Sequence, residues 1–147
     1  MDPRQARELI FSGTLPPGTT VEGSLYLERC TSLQSLPNDL KVGGWLNLYG
    51  CTSLQSLPYG MMVGGWLNLR GCTSLQSLPD GLKVEGSLYL ERCTSLQLPK
   101  GIPEGVQGEV YIDEEVLRNN KEHLLMLVNC RFYEESKELY KKILAEG

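Results

Sequence analysis

The sequence predicts an α/β repeat, a short solenoid of stacked strand-bearing turns with helices at both ends, and three observations carry that prediction. The stretch LYLERCTSLQSLP at 25–37 returns almost letter for letter at 88–99, with LNLYGCTSLQSLP and LNLRGCTSLQSLP between them. The copies keep one interval, since Leu15, Leu36, Leu57 and Leu78 stand 21 residues apart, as do Cys30, Cys51, Cys72 and Cys93. A unit of that length cannot bury a core by itself, so neighbouring copies must stack and share one. The segments before and after the copies carry helix signals in place of the repeat.

Residues 1–14 read as a helix capping the exposed end of the stack. Asp2 and Pro3 suit the N-cap and first helical position, Gly13 the stop, and Leu9, Ile10 and Phe11 the apolar side laid on the first turn. The solenoid then runs over residues 15–113, about five turns. In residues 36–56 the apolar positions are Leu36, Leu40, Val42, Leu46, Leu48, Cys51 and Leu54. The two-residue step from Leu46 to Leu48 puts both on one side of a strand and sends Trp45, Asn47 and Tyr49 to the other. The pair Gly43-Gly44, and its counterparts Glu22-Gly23, Gly64-Gly65 and Glu85-Gly86, predict a corner with positive φ. Leu-Pro at 36–37, 57–58, 78–79 and 98–99 predicts a stiff, irregular return leg with no room for an α-helix. A fifth strand is expected at Glu109–Asp113, where the repeat ends.

Residues 114–147 read as a two-helix cap. Asp113 is the expected N-cap of a helix whose apolar stripe is Leu117, Leu124, Leu127 and Val128. A second helix is expected near Tyr133–Ala145, with Leu139, Tyr140, Ile143 and Leu144 inward and Glu138 paired with Lys142 at i,i+4.

The pattern LxLxxCxxLxxLP, present as LYLERCTSLQSLP, resembles a leucine-rich repeat. Its 21-residue, LP-containing form is similar to repeats of bacterial, bacteriophage and effector proteins, and the Cys-x-x-Leu element to those of plant immune receptors. The resemblance covers residues 15–113. It implies a short right-handed solenoid whose parallel sheet lines a concave face used to hold another protein, although fold alone does not fix function.

The outward strand positions are where the copies differ. They read Ser24, Tyr26, Glu28; Trp45, Asn47, Tyr49; Trp66, Asn68, Arg70; Ser87, Tyr89, Glu91; and Glu109, Tyr111, Asp113. Packing dictates the inward residues of every turn alike, and the variation falls on the side that packing leaves free. Tyr26, Trp45, Asn47, Tyr49, Trp66, Asn68, Arg70 and Tyr89 form the expected binding surface. Exposed aromatics beside arginine match the composition of interface hot spots. Glu28, Glu91, Glu109 and Asp113 are expected to make an acidic rim that steers a basic partner. A ladder that merely covers the sheet is the competing reading, and carbohydrate ranks behind protein as a ligand.

A net charge of -4 and a pI near 5.1 argue against a partner bound through its phosphates, so nucleic acid is not expected. The start MDPRQARELIFSG lacks a secretory signal and no run spans a membrane, which favours a cytoplasmic protein or one delivered by a machine that reads no such signal. The four repeat cysteines would form a line at ~4.8 Å spacing, which tetrahedral zinc cannot use. They are read as small inward residues, with no metal or cofactor, and the odd total of five fits a reducing compartment. No enzyme is expected: His123 lies in the charged stretch NNKEHLL, and Cys130 stands in VNCRFY without a recognisable partner. The sequence therefore points to a monomeric protein- or peptide-binding module. The alternatives are a structural, self-assembling solenoid, or the effector module of a bacterial or phage protein whose activity lies in another domain.

Overall fold

A computed structural model describes residues 1–147. The chain winds as a parallel solenoid with a period near 21 residues, about four turns long, with helices at both ends. Each turn carries two strands, where the sequence reading expected one strand and an irregular return. β1 (Thr20–Val21), β3 (Lys41–Val42), β5 (Met62–Val63) and β7 (Lys83–Val84) form a four-stranded parallel sheet in that order. β2 (Leu25–Tyr26), β4 (Leu46–Asn47), β6 (Leu67–Asn68), β8 (Leu88–Tyr89) and β9 (Val110–Tyr111) form a five-stranded one. The first sheet exists because Leu40 and Val42, two apart, both point inward while Lys41 between them is exposed, and that alternation demands extended backbone.

The strands pair in strict register, Leu25 with Leu46, Leu46 with Leu67 and Leu67 with Leu88. The inward leucines thus stack as columns, and Leu25, Leu27, Leu46, Leu48, Leu67, Leu69, Leu88 and Leu90 are essentially inaccessible. Each contributes roughly 1.5–3 kcal/mol of apolar burial. Cysteine forms its own column: the thiols of Cys51, Cys72 and Cys93 donate to the carbonyls of Leu27, Leu48 and Leu69 in the preceding turn at 3.1, 3.1 and 3.0 Å. Cys30 has no preceding turn, and its sulfur lies 3.9 Å from the Glu28 carbonyl.

The corner glycines serve a different purpose from the one expected. Of the corner pairs only Gly23 has positive φ, at 116°. Gly44, Gly64, Gly65 and Gly86 are required by close approach: a Cβ on Gly86 would stand 2.7 Å from the Gly65 carbonyl carbon and 2.8 Å from the Trp66 nitrogen, whereas one on Gly43 would meet nothing nearer than 3.4 Å. Positive φ falls instead just before the cysteine, at Arg29, Gly50, Gly71 and Arg92, with φ between 60° and 73°.

At the N-terminal end, α1 (Pro3–Phe11) is capped by Asp2, whose carboxylate accepts from the Arg4 N–H at 3.1 Å. Ala6 and Ile10 are the buried residues of this helix, whereas Phe11 is half exposed under the Arg7 guanidinium. Met1 acts as an extra rung beside β1, its amine donating to the Thr20 carbonyl at 2.8 Å and its carbonyl accepting from the Glu22 N–H at 2.9 Å.

The C-terminal end departs further from expectation. The first predicted helix breaks into α2 (Glu114–Asn119) and a 3₁₀ helix, Lys121–Leu127. Asp113 caps α2 through the Val116 N–H, and Val116, Leu117, Leu124 and Leu127 are buried, but Val128 is exposed. The break follows from Asn120, which is fully buried. Its amide donates to the Leu96 and Val116 carbonyls, both at 2.9 Å, and its oxygen accepts from the Leu98 N–H at 2.7 Å. The chain then returns to the five-stranded sheet at Arg131–Tyr133, bridging Val110 with Phe132, so the ladder does not end at β9. α3 (Glu134–Ala145) buries Ser136, Tyr140 and Ile143, while Leu144 is exposed. The Ser136 hydroxyl both accepts from the Ile112 N–H and donates to its carbonyl, each at 2.9 Å. Lys142 pairs with Glu114 of α2 at 3.7 Å, and Glu138 with Lys141, in place of the expected Glu138–Lys142 pair. No helix is long and apolar enough to cross a membrane.

Candidate functional site

The outward residues of the five-stranded sheet come together as one surface. Because the strands pair without offset, Asn47 stands beside Asn68 and Tyr89 beside Tyr111. Trp45 and Trp66, one residue earlier in their turns, stack with ring centroids 4.6 Å apart and 16° between planes. Trp66 meets Tyr89 edge-on at 6.1 Å; Tyr89, Tyr111 and Tyr133 then stack at 4.4 Å each. The result is a continuous ladder of five rings across four turns and the C-terminal rung. Stacked spacing of this kind is the favourable offset geometry of aromatic pairs, with about 0.5–1.5 kcal/mol per contact beyond area burial.

Stacking hides ring faces and turns ring edges outward. Trp45 remains 43% exposed and Tyr26, alone in the first turn, 44%. The two asparagines are half committed. Asn47 accepts from the Tyr49 N–H at 3.1 Å and Asn68 from the Arg70 N–H at 3.0 Å, which fixes their amides with the NH₂ groups pointing away from those contacts.

The charged residues are arranged differently from a free acidic rim. Arg70 does not lie against Tyr49: its guanidinium reaches forward over Tyr89, 4.6 Å from the ring centre, and pairs with Glu91 at 3.0 Å. That carboxylate raises the Arg70 pKa further. The other Glu91 oxygen is buried without a hydrogen-bond partner. Asp113 is taken by the Arg92 and Val116 N–H groups. Glu28 and Glu109 remain exposed and unpaired by lysine or arginine. Tyr49 is flanked by two cations, Arg29 at 5.9 Å and Arg92 at 5.8 Å from its ring centre, and the Arg92 guanidinium donates to its hydroxyl at 3.2 Å. Those contacts lower the Tyr49 pKa.

Sequence reasoning missed four contributors here. Arg29 and Arg92, each immediately before a cysteine, were given no part in the expected surface. Tyr111 was seen on the face without being given a part in the ladder, and Tyr133 was placed at the start of a helix. A signal for Tyr133 exists: Phe132-Tyr133 follows Val110-Tyr111 at the same interval by which Val110-Tyr111 follows Leu88-Tyr89.

Elsewhere, His123 is half buried in the 3₁₀ helix, 4.0 Å from the Glu122 carboxylate. The Cys130 thiol is pushed up to about 12 by burial, which suppresses the nucleophilic thiolate. The chain matches no protein-family model, no curated protein and no solved structure in the comparisons made.

Proposed function

We propose that the chain is a non-enzymatic protein-binding module of leucine-rich-repeat type, a right-handed solenoid gripping a protein or peptide on a concave five-stranded sheet. The observation that carries this reading is the five-ring ladder with Trp45 and Tyr26 exposed at its open end. The ladder offers rigid aromatic edges that lose little conformational freedom on binding. The free NH₂ groups of Asn47 and Asn68 suit the backbone carbonyls of an extended segment lying across the strands. Tyr49 with Arg29 and Arg92 forms a cationic flank, and Glu28 and Glu109 an acidic one, so charge sets the direction in which a segment lies. The odd number of cysteines, five, favours a reducing, cytoplasmic setting.

The experiment is affinity capture from cytoplasmic extract with wild type and with Trp45→Ala/Trp66→Ala, after circular dichroism has established that the variant is folded. A protein retained by wild type and lost by the variant is the expected result. Equal capture by both would remove the aromatic face as the site.

A further inference from the structure

Both sheets have two edges, and three of the four are closed by the chain itself. Met1 pairs with β1, the Arg7 side chain of α1 donates to the Tyr26 carbonyl of β2 at 3.2 Å, and Arg131–Tyr133 continues the ladder past β9. The fourth edge is open. Past β7 the four-stranded sheet ends in an isolated bridge between Val84 and Val106, with the Val84 N–H donating to the Gly105 carbonyl and the Gln107 N–H to the Val84 carbonyl.

In every earlier turn the next rung donates two N–H groups across this sheet: Met62 and Gly64 to the Leu40 and Val42 carbonyls, Lys83 and Glu85 to those of Met61 and Val63. The equivalent acceptors on the last rung are the carbonyls of Glu104 and Val106, and neither receives a hydrogen bond. The Val106 N–H, which would otherwise donate outward, is turned onto the Pro103 carbonyl at 3.1 Å. The edge therefore offers acceptors two residues apart and no donor. Beside it, where the missing rung would lie, is a groove of about 500 Å³ whose walls include Ile102, Val106, Val110 and Met126. Met126 on its wall is 53% exposed, and its chain neighbours Leu125 and Val128, outside the groove, are exposed at 74% and 64%.

We propose that this groove accepts an extended segment of another protein as the next rung of the four-stranded sheet, running parallel to β7. Two of its backbone N–H groups, on residues i and i+2, donate to the Glu104 and Val106 carbonyls. The side chain at i+1 is apolar and β-branched, as Val21, Val42, Val63 and Val84 are in the same column, and it fills the groove. A second copy of this chain fits poorly: two acceptor-only edges cannot pair with each other, and the Glu22 donor beside β1 is already held by Met1.

The test uses the whole chain and a labelled, end-blocked peptide with the sequence of residues 81–88, GLKVEGSL, which reproduces one rung. Fluorescence anisotropy should show saturable binding. The same peptide N-methylated at the positions of Lys83 and Glu85 should bind roughly tenfold more weakly or worse, from the loss of two hydrogen bonds. Met126→Arg, a change on an exposed wall, should abolish binding in a chain that melts like wild type, whereas Trp45→Ala/Trp66→Ala should leave it unchanged. No binding to the intact chain, or equal binding of the methylated peptide, overturns the proposal. So does a concentration-dependent dimer in sedimentation that Met126→Arg dissolves, since the occupant would then be a second copy.

Discussion

Replacing Asn120 by alanine tests how the C-terminal helices are held to the repeat. This side chain is fully buried and makes three hydrogen bonds at 2.7–2.9 Å, to Leu96 and Leu98 of the last return leg and to Val116 of α2. Alanine removes all three and leaves one backbone N–H and two carbonyls without that partner in a site closed to water. Each buried group so orphaned costs about 1–3 kcal/mol. Local relaxation recovers part of this, and the net loss should be about 3–5 kcal/mol, a large fraction of the roughly 5–15 kcal/mol that holds a domain folded. Chemical denaturation measures it directly, and the melting temperature should fall by roughly 10 °C. Hydrogen exchange should localise the damage, with the Leu98 and Ile112 amides losing protection before those of Leu46 and Leu67. Asn120→Asp should do no better, because it keeps the acceptor for Leu98 and loses both donors. A variant that unfolds at the wild-type midpoint with Leu98 still protected would show that apolar packing alone holds the cap.

The remaining predictions concern the glycines, the thiols and the two binding surfaces. Gly86→Ala should destabilise by about 2 kcal/mol or more because its Cβ meets backbone at 2.7 Å. Gly81→Ala, with nothing within 4 Å and no positive φ, should be neutral or stabilise by about 0.4–1 kcal/mol; thermal denaturation of the pair separates the two effects. Burial pushes the Cys51 thiol up to about 11 and those of Cys72 and Cys130 to about 12. The unfolded chain therefore ionises first, so the stability contributed by these thiols is intact below about pH 9 and declines through pH 11–12. Cys72→Ala should flatten the alkaline limb of a stability-versus-pH curve, and iodoacetamide at pH 8 should label Cys30 before the other four. The Trp45→Ala/Trp66→Ala double variant should remain folded and lose its partner, while the rung peptide should bind both forms alike.

The repeat architecture was legible because its signal is redundant. Leu46 and Leu48 are read correctly from spacing alone, and three other turns say the same thing. The four-stranded sheet was equally available in the Leu40-Lys41-Val42 alternation, but the neighbouring glycines and proline drew the reading toward a turn. Gly64 and Gly86 misled in a second way: from sequence a glycine signals freedom of φ, whereas here it marks neighbours too close for a Cβ, a relation between turns that no single turn displays. At the C-terminus the helical stripe ran through Asn120 because an asparagine among charged residues looks solvated. Only the stacked return leg, with Leu96 and Leu98 facing it, makes that position an interior one. On the candidate face the identities of the outward residues were readable and their partners were not. Arg70 turns toward the next strand, where Glu91 at 3.0 Å and the Tyr89 ring both receive its guanidinium, a choice of partner that spacing does not specify.

Met1 has a consequence beyond closing a strand. A chain whose two ends presented complementary rungs could dock head to tail, and because a translation along the stack never closes on itself, the product would be an unlimited fibre. Here the Thr20 carbonyl and the Glu22 N–H are occupied by Met1, so an incoming molecule must first dislodge that residue and the helix attached to it. The four-stranded sheet is left with a single free terminus, and a process that needs two stops after one addition. Head-to-tail stacking of copies is thus resisted at the β1 end, where Met1 holds groups that a second chain would need.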